Sequence, residues 1–203
     1  MVDYSPMPIL FRIGSIYVYS KWFFIALGLL ISIAILIAVL IRSRNKRKIN
    51  FINFLDIASP FIALFFSISW IGLFLAWGNY GMVYKGIFSV SVNNVSSHPY
   101  QLYFSAGYFL IFLALLFIGR TRYTEKDGNQ FLGALILASL LLITVDFFVF
   151  HRQQDYILGM SKFQFFGVVI GVISTALITL NNRKDNRKQA EAEKKIKKKI
   201  KKT

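Results

Sequence analysis

Five stretches of this chain are each long and apolar enough to cross a lipid bilayer, which leaves few folds open to it. A hydrocarbon core is crossed by roughly 20 helical residues. Apolar runs of that order lie at Trp22–Ile41, Ile57–Trp77, Leu102–Ile118, Phe131–Phe150 and Phe163–Leu180. Inside lipid the backbone finds no water, so each run must close its hydrogen bonds internally as a helix. The fold class predicted is therefore an all-α polytopic membrane protein with five transmembrane helices. Of the 203 residues, 56% are apolar, which excludes a water-soluble globule. The first run starts too deep and is too long for a cleaved leader, and is read as a span.

Charge placement orients the helices. Nineteen of the 24 Lys and Arg residues follow spans one, three and five, while Arg12, Lys21, Lys85, Arg152 and Lys162 fall on the opposite side. Lys/Arg-rich loops stay in the cytoplasm, so the N-terminus is expected outside and the C-terminus in the cytoplasm. Three units follow: an outer-face interfacial segment at 1–21, a five-span membrane domain at 22–181 and a basic cytoplasmic tail at 182–203. Much of the net charge of +15 sits in that tail. Near an anionic surface each basic residue is worth about 1 kcal/mol, so the tail reads as disordered or held against the membrane. No aromatic residues interleave its lysines, base stacking has no support, and nucleic acid is not expected as a partner.

Cysteine is absent. That removes disulfides, thiolate metal sites and a cysteine nucleophile of the chain's own; neither a metal nor a cofactor is expected. Before the first span, Ile9–Tyr19 is apolar, β-branched and interrupted at Gly14-Ser15, the pattern of a short ribbon with a turn. Asp56 and Pro60 are placed in the first turn of span two, where a carboxylate meets the positive helix end and a missing N–H does no harm. Asp146, fifteen residues after Phe131, is the one acidic residue well inside an apolar run. A carboxylate there needs a partner or a proton, and His151, Arg152 and Lys162 are the nearby cations that would clamp spans four and five.

The string His98-Pro99-Tyr100-Gln101-Leu102-Tyr103 places an imidazole, an amide and two phenols where the third span begins. It resembles the His-Pro-x-Gln-Leu-Tyr-Glu signature of the prolipoprotein diacylglyceryl transferase family, with Phe104 at the glutamate position. Ser69 to Gly81 is similar in frame to that family's Gly-Arg-x-Gly-Asn-Phe-x-Asn-Gly-Glu-x-x-Gly. Gly72, Phe74 and Gly81 match, while Trp70 stands at the arginine, Leu73 and Ala76 at the asparagines and Gly78 at the glutamate. Asp56 to Pro60 resembles the Asp-x-x-Ala-Pro start of a family helix. Asp146 to Asp155 is similar to Glu-Phe-Phe-Arg-Gln-Pro-Asp, with Leu142 where a second arginine belongs. Ser161 to Gln164 resembles the Met-Gly-Gln opening of the last helix. The two spans and the His-Gly-Gly segment that family members carry between the first span and the Asp-x-x-Ala-Pro helix have no counterpart here.

What the resemblance implies is an enzyme of a bacterial cytoplasmic (inner) membrane that moves diacylglyceryl from phosphatidylglycerol to a lipoprotein precursor. On that alignment His98, Tyr103 and Asp146 are the catalytic candidates, and Gln101, Arg152, Lys162 and Gln164 the substrate-binding ones. Phosphatidylglycerol or another anionic phospholipid, and a lipoprotein precursor, are the implied partners. The transfer needs a base for the incoming thiol and cations around the departing phosphate. With both family arginine positions lost, at Trp70 and Leu142, that duty falls to Arg12, Lys21, Arg152 and Lys162. Two alternatives stand beside a working transferase: a non-catalytic relative that binds lipid or lipoprotein, and a small transporter or insertase-like bundle with Asp146 on a polar path.

Overall fold

A computed structural model describes residues 2–3, 5–43, 50–76, 81–92, 94–119, 127–151 and 156–200. Five helices carry the chain: α1 (Ser20–Ser43), α2 (Phe51–Ala76), α3 (Tyr100–Ile118), α4 (Asn129–Asp146) and α5 (Lys162–Ile200). Each contains a stretch long and apolar enough to cross a membrane, so the fold is that of a multi-pass membrane protein. Large aliphatic side chains such as Leu30, Ile41, Leu110 and Val172 are exposed on the bundle surface, as a lipid-facing exterior requires. The core lies between α2, α3 and α4, where Ala63, Phe104, Tyr108, Ile111, Leu115 and Val145 pack together.

Small residues set the helix contacts. A Cβ on Gly72 would lie 2.5 Å from the Phe24 Cβ and 3.0 Å from the Ser20 carbonyl, so only glycine allows α1 this close to α2. Between α2 and α3, Ser67 and Ser105 each donate a hydroxyl hydrogen bond to the other's backbone carbonyl at 2.9 Å. Such serine contacts hold helices together where the hydrophobic effect cannot, because lipid is as apolar as the side chains.

Span two departs from expectation. α2 begins at Phe51 rather than Ile57, which makes Asp56 and Pro60 interior residues of the helix. A proline there denies a hydrogen bond to the carbonyl four residues back, which is that of Asp56. The Ser59 hydroxyl donates to this carbonyl at 2.8 Å and repairs the loss. The Asp56 carboxylate serves a different helix: Oδ2 accepts the Gly128 N–H at 2.6 Å and Oδ1 the Phe131 N–H at 2.8 Å. It caps α4 from outside, satisfying donors that a helix start cannot satisfy itself. Asn181 on α5 reaches the same place, donating to the Asp127 carbonyl and to Asn129 Oδ1 at 3.1 Å each.

At the other end of the bundle, short strands connect the helices. β1 (Val2–Asp3), β4 (Val90–Val92) and β5 (Val95–Ser97) form a three-stranded sheet in the order β1-β4-β5. The ribbon before α1 is the hairpin β2 (Ile9–Ile13) and β3 (Ile16–Tyr19), turning at Gly14, where φ is +58°. A second hairpin, β6 (Tyr156–Ile157) with β7 (Met160–Ser161), leads into α5. α5 itself runs unbroken to Ile200, so no break in secondary structure marks the boundary expected at residue 182. Past Gly171 the helix contains neither Gly nor Pro, and its Lys, Gln, Glu and Ala residues are good helix formers.

Candidate functional site

The His-Pro motif sits where three backbone segments meet. Met82 donates its N–H to the Phe148 carbonyl at 2.9 Å, and its own carbonyl accepts the His98 N–H at 3.0 Å. Gly81 bridges to Val149 and Val83 to Ser97. The chain leaving α2 is thereby threaded between the residues before α3 and the turn that follows α4. A Cβ on Gly81 would stand 2.1 Å from the His98 carbonyl oxygen and 3.0 Å from that of Phe148. The match of Gly81 to the family signature thus has a physical reason: two backbones close on it from either side.

His98 lies just before α3 in a cage of rings. Its imidazole stacks on Tyr84 at 4.2 Å and 14° and meets Phe148 edge-on at 4.9 Å. Nδ1 is 3.0 Å from the Tyr103 hydroxyl, five residues along and on the first turns of α3. Phe148 packs against Tyr103 as well, at 5.3 Å. Burial, which penalises the charged imidazolium, lowers the pKa of His98 below its ordinary value of 6.5. At neutral pH His98 is therefore a neutral imidazole sharing a hydrogen bond with a phenol.

Asp146 holds a second polar knot on the other side of the same turn. It is the last residue of α4, not a mid-span group, because the helix stops four residues before the expected Phe150. Phe148 and Val149 fold back in turns onto the Val145 and Asp146 carbonyls and pair with the strand at Gly81-Met82; tertiary pairing wins over hydrophobic continuation. The Asp146 carboxylate is 1% exposed. Its Oδ2 accepts the Ser161 hydroxyl at 2.5 Å, and its Oδ1 faces His151 Nε2 at 2.9 Å. Spans four and five are clamped as expected, with Ser161 and His151 as the described partners of the carboxylate.

Ser161 is also the N-cap of α5. Its hydroxyl oxygen accepts the Gln164 N–H at 3.1 Å, while Gln164 Oε1 accepts the Ser161 N–H at 3.4 Å. This reciprocal arrangement is a capping box, so the Gln164 side chain is engaged in starting a helix. Lys162 is exposed on the first turn of α5. Gln101 is buried in the first turn of α3, 2% exposed. Arg152 lies outside the described residues. The structure brings His98 to Tyr103 and seats both, through Phe148, on the turn that carries Asp146 and His151. Tyr84 joins the cluster without a local sequence signal, because loop residues give no period to read; Phe148 and Ser161 lie in strings similar to family ones, and Ser161 with Gln164 has the spacing of a capping box. Among the described residues no group of His, Asp and Glu could hold a metal.

Deeper in the bundle, the positions of the lost charges are packed with carbon. Trp70 and Phe104 stack at 4.4 Å. Leu142 lines an apolar cavity of about 200 Å³ with Ala63, Phe66, Tyr108 and Ala138.

Comparison with known proteins adds two findings. The family profile described as prolipoprotein diacylglyceryl transferase matches residues 26–180. The phosphatidylglycerol–prolipoprotein diacylglyceryl transferase of Finegoldia magna is 29% identical over 143 residues, which are 69% of this chain and 55% of the relative. The chain thus spans about half the length of the curated relative it matches.

Proposed function

The chain belongs to the prolipoprotein diacylglyceryl transferase family, and from that premise we propose that it works at the outer face of a bacterial cytoplasmic membrane on a phospholipid and a lipoprotein precursor. In this reading it binds phosphatidylglycerol or a similar anionic phospholipid and passes the diacylglyceryl group to the precursor's cysteine. The observation that carries the proposal is the His98–Tyr103 contact, 3.0 Å between Nδ1 and hydroxyl, at the start of α3. Two surviving signature residues, His98 and Tyr103, thus meet in space, and Gly81, another survivor, packs against the His98 backbone.

The distribution of basic residues supports this orientation, with the N-terminus and the His98 end outside. Arg12, Lys21, Arg152 and Lys162 belong to that side and are the cations this reading assigns to a phosphate. Removing one electrostatic contact to developing charge typically costs about 3–4 kcal/mol, so these residues decide the rate. A second reading, a non-catalytic relative that binds lipid or lipoprotein, is favoured by the stacked Trp70 and Phe104 rings, which put packing at two positions where the signatures carry charge.

Diacylglyceryl transfer in proteoliposomes separates the two, using labelled phosphatidylglycerol and a peptide bearing a lipobox cysteine. Turnover that vanishes in Tyr103→Phe and Lys162→Ala supports the transferase. Lipid retention without turnover supports the binding relative. Neither turnover nor retention of lipid sinks both.

A further inference from the structure

The chain has two histidines, and both stand against the single turn that follows α4, in unlike surroundings. His98 is caged by Tyr84, Tyr103 and Phe148, and its Nδ1 is occupied by a phenol. Burial with no carboxylate among these neighbours makes it a poor proton acceptor. His151 has a carboxylate instead. Its Nε2 and Asp146 Oδ1 are 2.9 Å apart, the carboxylate side chain is 0% exposed and the imidazole 12%. Neither atom makes a hydrogen bond of standard geometry among the described residues, so the two meet as a close polar contact of buried groups. The edge of the imidazole rests on Tyr156 at 5.9 Å.

The carboxylate is itself fixed. Ser161 donates its hydroxyl to Oδ2 while its oxygen accepts from the start of α5. The order of contacts runs from the helix cap to Ser161, to Asp146, to His151. A carboxylate on one imidazole nitrogen holds the proton there and leaves the other nitrogen as the acceptor. We propose that His151 is the general base of this site, taking a proton at Nδ1, and that Asp146 is the positioning residue that orients it. The assignment rests on the diacylglyceryl transfer reading given above.

The step balances without any further reagent. The cysteine S–H proton passes to His151 Nδ1, and the sulfur electron pair forms the bond to the terminal glyceryl carbon. The bond from that carbon to the phosphate oxygen breaks, and glycerol phosphate leaves with the bonding pair. The proton on His151 then goes to the departing phosphate or to outer solvent. His98 and Tyr103 are left to a neutral hydrogen-bonding role on the opposite side of the turn.

The test uses the full chain in proteoliposomes with labelled phosphatidylglycerol and a lipobox peptide. His151→Ala is expected to lower transfer by about 10²-fold or more, and added imidazole to restore part of it. Asp146→Asn is expected to lower turnover with little change in the KM for lipid. In the 15N spectrum of histidine-labelled protein, which contains two imidazoles, His151 is expected to carry its proton on Nε2. Undiminished transfer in His151→Ala overturns the assignment and leaves the transferase reading standing. Loss without imidazole rescue marks a structural role and overturns it too, as does a neutral His151 with its proton on Nδ1. No transfer by the unaltered chain overturns the transferase reading, and the base assignment with it.

Discussion

The indole of Trp70 lies nearly face to face with the ring of Phe104, 4.4 Å between centroids and 21° between planes. Both positions are those at which the family signatures carry charge, an arginine in one and a glutamate in the other. Their rings share the core with Tyr100 and Tyr108, so on that resemblance one apolar stack stands where the signatures carry two charges.

This coupling predicts a strongly non-additive cycle. Trp70→Arg alone puts an unpaired cation in the core and should destabilise the protein by about 3–5 kcal/mol. The double change Trp70→Arg with Phe104→Glu should recover a measurable part of that loss, read as a coupling energy in thermal unfolding in detergent. Additive losses would show that the two positions do not compensate one another.

Gly81 and Gly133 should respond in opposite ways to the same change. Gly81→Ala brings a methyl group 2.1 Å from the His98 carbonyl oxygen, and no flexible side chain is there to yield. It should displace His98 from Tyr103 and lower stability by more than about 2 kcal/mol. Gly133 in α4 has open space around the same position, and Gly133→Ala should be neutral or stabilising by up to about 1 kcal/mol. Thermal unfolding of both variants decides it.

Asp56 caps α4 across 75 residues of sequence. Asp56→Ala removes two charge-assisted hydrogen bonds and should cost roughly 2–3 kcal/mol. Asp56→Asn, which keeps one acceptor, should cost less. If the two variants unfold alike, the carboxylate is not the cap that holds α2 and α4 in register.

The half-buried His98 gives stability a pH dependence of known sign. Its folded-state pKa is lowered from 6.5 by burial, so below about pH 6.5 the unfolded chain binds a proton that the folded one does not. This contribution is complete above the unfolded pKa and is lost as pH falls from about 6.5 toward the folded value. The melting temperature should drop over that window, and His98→Phe should remove this part of the slope. A slope unchanged in His98→Phe would assign the acid sensitivity to another group.

Much of the chain was legible before any coordinates. Apolar length compared with bilayer thickness is a local property of sequence, and it located the five spans; β-branched residues and the Gly14-Ser15 turn located the ribbon before α1, and short local strings carried the family resemblance. Helix ends were less legible. α2 begins six residues before the expected Ile57 and α4 stops at Asp146, because capping and strand pairing from distant segments decide where a helix closes.

What the sequence could not determine is which polar groups meet. Asp56 was read as serving its own helix and serves α4; Asp146 was read with His151, Arg152 and Lys162, and meets His151 together with Ser161, which was not foreseen; the capping contact of Gln164 was not foreseen either. Hydrophobicity acts on each segment separately against one solvent, so a linear pattern records it. A hydrogen bond between residues 15 to 75 apart depends on how helices cross, and the tertiary packing alone chose those partners.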